Sequence, residues 1–194
     1  MIGQAKSQSK HEVRTLGIDP SLTGTGICYL ENGEFHPYFL PETRLHGVER
    51  LAALRKRFCS IIDAHPGPTL TAIEGYSYDS IGRVFELGEW GGIIKLDLFA
   101  REIPFVVVPP KRLKRFMGVK RNDKELMIRA VKKRLKFDAE NNDDLADAAA
   151  LARVAEVYLT KETKYRSELE VVRDMQITKV LKKHGKFREL RGVL

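Results

Sequence analysis

The stretch at residues 16–27, LGIDPSLTGTGI, decides the fold of this chain. The apolar and β-branched residues at 13–18 predict a buried strand, and Asp19 ends it because a proline follows. The turn at 21–25 contains glycine, and a second strand is predicted at 26–30. The chain is therefore expected to present a carboxylate at the end of a buried strand, directly before a tight turn.

The elements after this stretch alternate between strands and helices. An Asn-Gly pair after the second strand predicts a hairpin into a third strand at 35–40, which contains Pro37 and is therefore placed at a sheet edge. The later apolar patterns predict a helix at 47–64, a strand at 70–73, a helix at 81–101, a strand at 105–108, a basic helix whose start is marked by Asn122 and Glu125, and a last core helix from Asn142 to Tyr158. The core order is strand-strand-strand-helix-strand-helix-strand-helix. It predicts an α/β fold with a mixed five-stranded sheet and helices on both faces.

Length and composition suit one globular domain with an appendage, since 43% of the 194 residues are apolar and 31% are charged. We expect a flexible leader at 1–12, one domain at 13–159 and a basic extension at 160–194. Two cysteines are too few for a disulfide framework and lack the grouping of a zinc site. No apolar run reaches the roughly 20 residues of a membrane span, and the leader lacks the apolar stretch of a secretory signal. We therefore expect neither a membrane protein nor a secreted disulfide scaffold.

The net charge of +8 is concentrated in two segments. Residues 111–137 contain twelve lysines and arginines against two acids, and residues 161–194 contain ten against five. The remaining residues therefore carry a net negative charge. Basic segments of this kind suit a polyanion such as nucleic acid, whose phosphates dominate binding affinity. For a single lysine-rich helix, a solvated surface explains the pattern equally well.

Four carboxylates stand where predicted strands end or where a helix begins. Asp19 ends the first strand, and Glu74 ends the fourth. Asp144 and Asp147 lie three residues apart on one face of the last helix. Sites in open α/β sheets gather at the carboxyl ends of parallel strands, so the acids converge if the first and fourth strands are neighbours. Their repulsion then requires cations or raised pKa values, and two Mg²⁺ or Mn²⁺ ions there can activate water for phosphodiester hydrolysis.

Each acid alone also has a purely structural explanation. Asp19 can cap the turn before its proline, and Glu74 can be a solvated strand end. Asp143 and Asp144 can interact with the dipole of the helix that they open. Asp147 is harder to explain in this way, because it lies within the alanine-rich face of that helix. The joint pattern therefore favours a site, provided that the assumed strand order holds.

Five segments of the chain carry a resemblance to a known family. Three of them are acidic, LGIDPSLTGTGI, TAIEGYSYDS and DDLADAAALA, and between the last two lie FELGEWGGIIK and VPPKRLKRFMGVKRNDKELM. In this order they resemble the RuvC family of Holliday-junction resolvases, which has an RNase H-like fold, over about residues 13–159. The resemblance implies a homodimeric endonuclease that cuts four-way DNA junctions by paired nicks. It also implies two Mg²⁺ ions per active site, with Mn²⁺ as a substitute, and a cytoplasmic, nucleoid-associated location.

The resemblance further implies roles for individual residues. The implied catalytic residues are Asp19, Glu74, Asp144, Asp147, Lys114 and Lys124, and the four acids are also the implied metal ligands. Either lysine can contact the scissile phosphate or stabilise developing charge. The family often places an aromatic wedge where this chain has Ser77, so the junction contact falls on a flanking tyrosine, unless both tyrosines are core residues. The residues expected to bind DNA are Tyr76, Tyr78, Lys111, Arg112, Lys114, Arg115, Lys120 and Arg121.

Three alternatives stay open at this point. The helix at 81–101 is apolar enough for a dimer interface, but burial in the core explains it equally well. The extension at 160–194 either binds DNA or stabilises a dimer. The rival functions are another nuclease of the same fold acting on branched DNA or RNA–DNA hybrids, a kinase-like nucleotide-binding protein suggested by the glycine-containing turn, and a non-catalytic DNA-binding module.

Overall fold

A three-stranded meander opens the fold, and helices alternate with strands after it. The structure, a computed structural model, describes residues 13–21, 23–76, 84–120, 123–173, 175, 180–181 and 187–188. The strands are β1 (Arg14–Asp19), β2 (Gly24–Glu31), β3 (Glu34–Pro41), β4 (Leu70–Glu74), β5 (Phe105–Val108), β6 (Val180–Leu181) and β7 (Phe187–Arg188). The helices are α1 (Gly47–Ala64), α2 (Val84–Ala100), α3 (Pro110–Met117), α4 (Lys124–Leu135), α5 (Asp143–Thr160) and α6 (Arg166–Val172). None of these described helices combines the length and the apolar character that a membrane crossing needs.

Five strands form one sheet in the order β3-β2-β1-β4-β5. β1 pairs antiparallel with β2 and parallel with β4, and β5 is parallel to β4. The predicted α/β fold with a mixed five-stranded sheet is confirmed, and the condition that the first and fourth strands are neighbours is met. β3 lies at an edge, as Pro37 predicts. Because β1 and β4 are parallel neighbours, their carboxyl ends meet at the same side of the sheet.

The two faces of the sheet are covered by different helices. On one face, Phe58 of α1 and Trp90 of α2 pack against Ile18 of β1. On the other face, α5 lies over the sheet with α3, α4 and α6 around it, and Phe116 and Val154 are among the buried residues. Successive side chains of a strand point to opposite faces, so each strand contributes to both cores.

The helix α5 lies unusually close to the sheet because two glycines face it. A Cβ atom at Gly26 of β2 would lie 2.1 Å from the backbone oxygen of Asp144, and one at Gly17 of β1 would lie 1.9 Å from that of Ala148. Most of the residues that α5 buries are alanines. Small residues on both sides therefore hold the first turns of α5 in backbone contact with β1 and β2.

Three local predictions need correction. β2 begins at Gly24, two residues earlier than expected. The segment after β5, which the sequence pattern describes only as basic, forms α3, because its second proline occupies the first helical position and needs no donor there. The cap of α4 is Asp123 rather than Asn122, since its carboxylate accepts a hydrogen bond of 3.1 Å from the backbone N–H of Leu126. The helix count after β5 is therefore larger than the core order predicts.

The first part of the predicted extension is packed against the domain. α6 contacts α3 and α5. Val171, Val172 and Met175 join the buried cluster that these helices form. β6 and β7 pair with each other as an antiparallel ribbon. The buried cluster beneath α5 thus continues as far as Met175.

Candidate active site

Two carboxylates lie side by side at the ends of neighbouring strands. Asp19 is the last residue of β1, Glu74 is the last residue of β4, and the parallel pairing of Ile18 with Ile73 sets these ends level. Asp19 is buried and Glu74 is half-buried. A hydrogen bond joins the two side chains. Such a bond needs a proton on one of the two carboxyls, so the contact helps to raise the pKa of Asp19.

The helix α5 brings two further acids to the same place. Asn142 caps it by accepting a hydrogen bond of 3.0 Å from the backbone N–H of Leu145. Asp144 and Asp147 are three residues apart, so one face of the helix carries both. The backbone contact with Gly26 fixes the height of this first turn above the sheet. The ends of β1 and β4 and the start of α5 therefore lie next to one another.

The four predicted acids form a compact cluster. Carboxylate oxygens of Asp19, Glu74 and Asp147 all lie within 4.8 Å of one another. Asp144 lies beside this group and forms side-chain hydrogen bonds with Asp19 and Ser21. The structure therefore brings together residues that are more than a hundred positions apart in the sequence.

The crowding and burial of these acids favour their protonated forms. Burial, followed by the negative charges of Glu74 and Asp147, raises the pKa of Asp19 well above its usual range. Burial and the charge of Glu74 raise the pKa of Asp147 to about 8. Burial is also the main cause that raises the pKa of Glu74 and raises the pKa of Asp144 to about 6. A positive charge placed among these groups would reverse the effect.

The cluster fits a divalent cation of the Mg²⁺ type. The Oδ1 atom of Asp147 is buried and receives no hydrogen bond from any described residue. A buried carboxylate oxygen in this state costs free energy unless a cation or water satisfies it. The available donors are carboxylate oxygens, which suit Mg²⁺ and Mn²⁺ better than Zn²⁺. The residues present therefore suit a divalent metal ion.

Two lysines flank the acids in different ways. The charge of Lys114, on α3, opposes the effect of burial on the pKa values of Glu74 and Asp147. Lys124, on α4, forms an ion pair with Asp143, and this hydrogen bond raises the pKa of Lys124. The side chain of Lys124 is 81% exposed. Lys114 thus lies next to the inner acids, whereas Lys124 lies at the rim.

The tyrosine after Glu74 is anchored to α2. The hydroxyl of Tyr76 donates to the backbone oxygen of Gly88 at 3.2 Å and accepts from Nζ of Lys95 at 3.0 Å. A Cβ atom at Gly91 would lie 2.6 Å from this hydroxyl, so a glycine makes room for it. Tyr78, the other candidate for the junction contact, lies outside the described residues. Tyr76 therefore ties the end of β4 to α2.

The predicted DNA-binding cations lie on α3 or just after it. The exposed ones are Lys111, Arg112, Arg115 and Lys120. Arg115 also forms an ion pair of 3.0 Å with Glu170 of α6. Arg121 lies outside the described residues. The short helix α3 thus carries several positive charges in addition to that of Lys114.

The sequence analysis missed the contacts that shape the turn after Asp19. Trp90 donates from Nε1 to Oγ1 of Thr25 at 2.9 Å, and Thr25 donates to the backbone oxygen of Ser21 at 3.1 Å. Ser21 in turn shares a hydrogen bond with Asp144. The only sequence signals are a lone tryptophan in a helix and hydroxyl residues after an Asp-Pro pair. Their pairing spans 65 residues, so no local pattern contains it.

Comparison with known proteins places this chain beside one group of nucleases. The family model described as "Crossover junction endodeoxyribonuclease RuvC" matches residues 15–155. A protein of Hydrogenovibrio crunogenus (strain DSM 25203 / XCL-2) with the same description is 32% identical over 154 residues, which covers 76% of this chain and 89% of the relative. The matched range includes all four clustered acids and both flanking lysines.

Two solved structures share the fold. T. thermophilus RuvC in complex with a Holliday junction substrate matches with a TM-score of 0.60 at 20% identity, covering 72% of this chain and 90% of that chain. A second structure of Thermus thermophilus RuvC matches with a TM-score of 0.58 at 21% identity, covering 72% and 91% of the two chains.

Proposed function

Because this chain belongs to the RuvC family of crossover junction endodeoxyribonucleases, we propose that it resolves four-way DNA junctions by metal-dependent phosphodiester hydrolysis. The observation that carries the proposal is the cluster of Asp19, Glu74 and Asp147, whose carboxylate oxygens lie within 4.8 Å of one another. Buried acids that raise one another's pKa values are typical of active sites. A module that only binds DNA would gain nothing from them.

The metal ligands in this proposal are the four acids. Asp19, Glu74 and Asp147 would hold Mg²⁺, with Mn²⁺ as a substitute, and Asp144 would complete the site for a second ion. When bound, such ions lower the pKa of a water molecule and stabilise the charge that develops on the phosphate. The chain itself contributes orientation: Ser21 hydrogen-bonds Asp144, and the capped first turn of α5 fixes Asp147.

The two lysines would act on the phosphate. Lys114 lies near Glu74 and Asp147, so its charge is placed where negative charge accumulates on the scissile phosphate. Lys124 is exposed and oriented by Asp143, a position that suits contact with the same phosphate from the rim. A fixed positive charge in a partly buried site stabilises the transition state more than the same charge in water.

The DNA-binding surface would be α3 and its surroundings. Lysine and arginine side chains contact phosphates without reading sequence, so they would orient the junction over the acids. The half-buried ring of Tyr76 leaves part of its surface to a sugar or a base. The proposed contacts are Tyr76, Tyr78, Lys111, Arg112, Lys114, Arg115, Lys120 and Arg121.

We also propose a homodimer formed through α2. Phe85 and Leu96 of this helix are 87% and 67% exposed. A Cβ atom at Gly88 or Gly92 would meet nothing within 4 Å, so a second copy can approach the helix closely. A two-fold dimer would place two acid clusters on one junction and so produce paired nicks. With DNA as its substrate, the enzyme would act in the cytoplasm, at the nucleoid.

A cleavage assay on a synthetic four-way junction tests the proposal. Each strand is end-labelled in turn, and the junction is incubated with Mg²⁺ or with EDTA. We expect two symmetric nicks with Mg²⁺ and none with EDTA, and a linear duplex and an RNA–DNA hybrid should compete poorly. Equal cutting of the hybrid would favour another nuclease of this fold. Tight binding without nicking in Mg²⁺ or Mn²⁺ would reduce the chain to a DNA-binding module.

A further inference from the structure

A helix beyond the matched region supports the basic helix of the site. The family match ends at residue 155, and α6 lies after that point, packed against α3 and α5. Building on the proposed function, we propose that α6 positions α3 through Glu168 and Arg134 and thereby holds Lys114 at the acid cluster. Glu168 and Arg134 are then positioning residues of the reaction, although neither is among the acids of the site.

Glu168 is the fixed point of this arrangement. It is 1% exposed, and Thr163 donates a hydrogen bond of 2.6 Å to its Oε2. Arg134 lies 3.8 Å from Oε1, and Arg153 lies 3.8 Å from Oε2. A buried carboxylate between two arginines is costly to disturb, because removal of one partner leaves an uncompensated charge. The start of α6 is therefore tied by these ion pairs to α4 and α5.

Arg134 links Glu168 to the last turn of α3. It donates from Nη1 to the backbone oxygen of Phe116 at 3.0 Å. Its guanidinium stacks over the ring of Tyr165, 4.3 Å from the centroid. A Cβ atom at Gly118, the left-handed cap of α3, would lie 2.3 Å from Nη2 of Arg134. The carbonyl of Phe116, one of those that a helix leaves without an internal partner at its C-terminus, is thus satisfied from α4.

The helix α6 also touches α3 directly. Ser167 donates to the same backbone oxygen of Phe116 at 3.4 Å. Glu170 accepts from Arg115 at 3.0 Å. Leu113, Phe116 and residues of α6 share one buried cluster. Lys114 therefore lies between Leu113, which is packed in the core, and Arg115, which forms an ion pair with α6.

The helix α3 needs this support. It has eight residues, and isolated helices of that length are marginal in water. Four of its residues are lysine or arginine at spacings where like charges repel across one turn. Its position, and with it the charge of Lys114 beside Glu74, therefore depends on outside contacts.

A double-mutant cycle tests the coupling. Glu168→Gln keeps the size of the side chain and removes its charge. We expect the single-turnover rate on the labelled junction to fall about tenfold, since small displacements of a positioned group have large effects on rate. Junction affinity, measured with Ca²⁺, should hardly change. If Glu168 acts through Lys114, Glu168→Gln combined with Lys114→Ala is no slower than Lys114→Ala alone.

The matched control is Asp97→Asn. Asp97 is also a buried carboxylate between two arginines, Arg55 and Arg101, but it lies in the opposite core between α1 and α2. Its loss should lower thermal stability without changing the single-turnover rate. If Glu168 had a merely structural role, Glu168→Gln would behave like this control and leave the single-turnover rate unchanged. If Glu168→Gln slowed the reaction without acting through Lys114, the two rate losses would multiply in the double variant.

A second readout is independent of cleavage. In the metal-free full chain, amide hydrogen exchange at residues 110–118 should accelerate in Glu168→Gln and stay unchanged in Asp97→Asn. Unchanged exchange there, an unchanged single-turnover rate in Glu168→Gln, or multiplying rate losses in the cycle overturns the proposal. If Glu168→Gln does not fold, Ser167→Ala takes its place in both measurements. A wild-type chain that leaves the junction intact refutes the proposed function, whereas the exchange comparison still decides whether α6 holds α3.

Discussion

Asp147 is the residue whose replacement should separate cleavage from binding. Asp147 is half-buried, desolvation and the charge of Glu74 raise its pKa to about 8, and its Oδ1 atom has no hydrogen-bond partner among the described residues. We expect Asp147→Asn to slow cleavage by about a hundredfold or more, the usual cost of losing one electrostatic contact in an active site. Junction affinity should be retained, because the basic surface is intact. Single-turnover cleavage and a binding titration in Ca²⁺ measure the two effects.

The control for this variant is Asp138→Asn, which removes an exposed acid that pairs with Lys132 outside the cluster. Its cleavage rate should equal that of the wild type. A near-normal rate for Asp147→Asn would remove that residue from the metal site.

The acids also predict how stability depends on pH in the metal-free protein. A carboxyl whose pKa is raised on folding binds more protons in the folded state than in the unfolded state. The free energy of unfolding is therefore largest at low pH and falls as pH rises from about 4, the unfolded pKa, to about 8, the value for Asp147. Each extra proton held contributes a slope of about 1.4 kcal/mol per pH unit.

Denaturant unfolding between pH 5 and pH 8, with EDTA, measures this slope. Asp147→Asn should flatten it, and saturating Mg²⁺ should restore stability at pH 8 because it neutralises the ionised acids. A wild-type protein whose stability rises over this interval would show that the acids are already compensated without a cation.

At the scale of single residues, the sequence predicts the acids but not what orients them. Asp19 and Glu74 can be recognised from the sequence alone, because each is a carboxylate directly after an apolar run that predicts a strand. The contacts of Thr25 with Trp90, and of Tyr76 with Gly88, are not visible, because each joins segments that come together only after the sheet has formed. Orientation of the site is therefore a tertiary property.

At the scale of elements, the close approach of α5 to β2 makes Gly26 critical. A Cβ atom there would lie 2.1 Å from the backbone oxygen of Asp144, and backbone cannot move aside as a flexible side chain can. We expect Gly26→Ala to shift α5, lower the free energy of unfolding by about 1–3 kcal/mol and reduce cleavage at least tenfold. Thermal unfolding and single-turnover cleavage measure both effects.

Gly67→Ala is the matched control. Gly67 lies in the exposed loop between α1 and β4, where a Cβ atom would meet nothing within 4 Å. It should leave cleavage unchanged and alter stability little. If Gly26→Ala cleaves as well as Gly67→Ala, the position of α5 does not limit the reaction.

The elements that the sequence predicts well are those with a strong pattern. The five strands of the sheet follow from apolar runs and the Asn-Gly hairpin, whereas their order in the sheet is an assumption of the sequence analysis that the structure supplies. α3 escapes this reasoning because Pro109 and Pro110 look like the end of an element, whereas the second of them begins one. Its helical state depends on α4 and α6, which no local pattern contains.

At the scale of the whole molecule, the exposed face of α2 predicts the oligomeric state. Leu96 is 67% exposed, and a glutamate there would place a charge in the proposed interface. We expect Leu96→Glu to sediment as a monomer at micromolar concentration and to produce single nicks in place of paired ones. Val48→Glu is the control, because Val48 is 80% exposed but belongs to α1, whereas the proposed interface is formed by α2. A wild-type monomer under these conditions contradicts the dimer.

The excess of positive over negative charge in the extension is confined to its last part. Residues 161–175 contain four basic and four acidic side chains, whereas residues 176–194 contain six basic residues and one acid. The part that packs against the domain is thus neutral overall, and the excess positive charge lies in residues 176–194. Each phosphate that a lysine or arginine neutralises steepens the fall of log affinity with log salt by about 0.9. If the surplus contacts DNA, it contributes to that slope.

Replacing the lysines of this segment with glutamine tests the contribution without shortening the chain. The replaced residues are Lys179, Lys182, Lys183 and Lys186. We expect the slope of log affinity against log salt to become shallower by about 2–4, from roughly 0.9 per lost contact, and the nick positions to stay the same. Lys56→Gln with Arg57→Gln, two exposed changes on α1, should leave the slope unchanged. If the four-lysine variant has the same slope as the wild type, the segment does not contact DNA. Sedimentation would then show whether the segment stabilises the dimer.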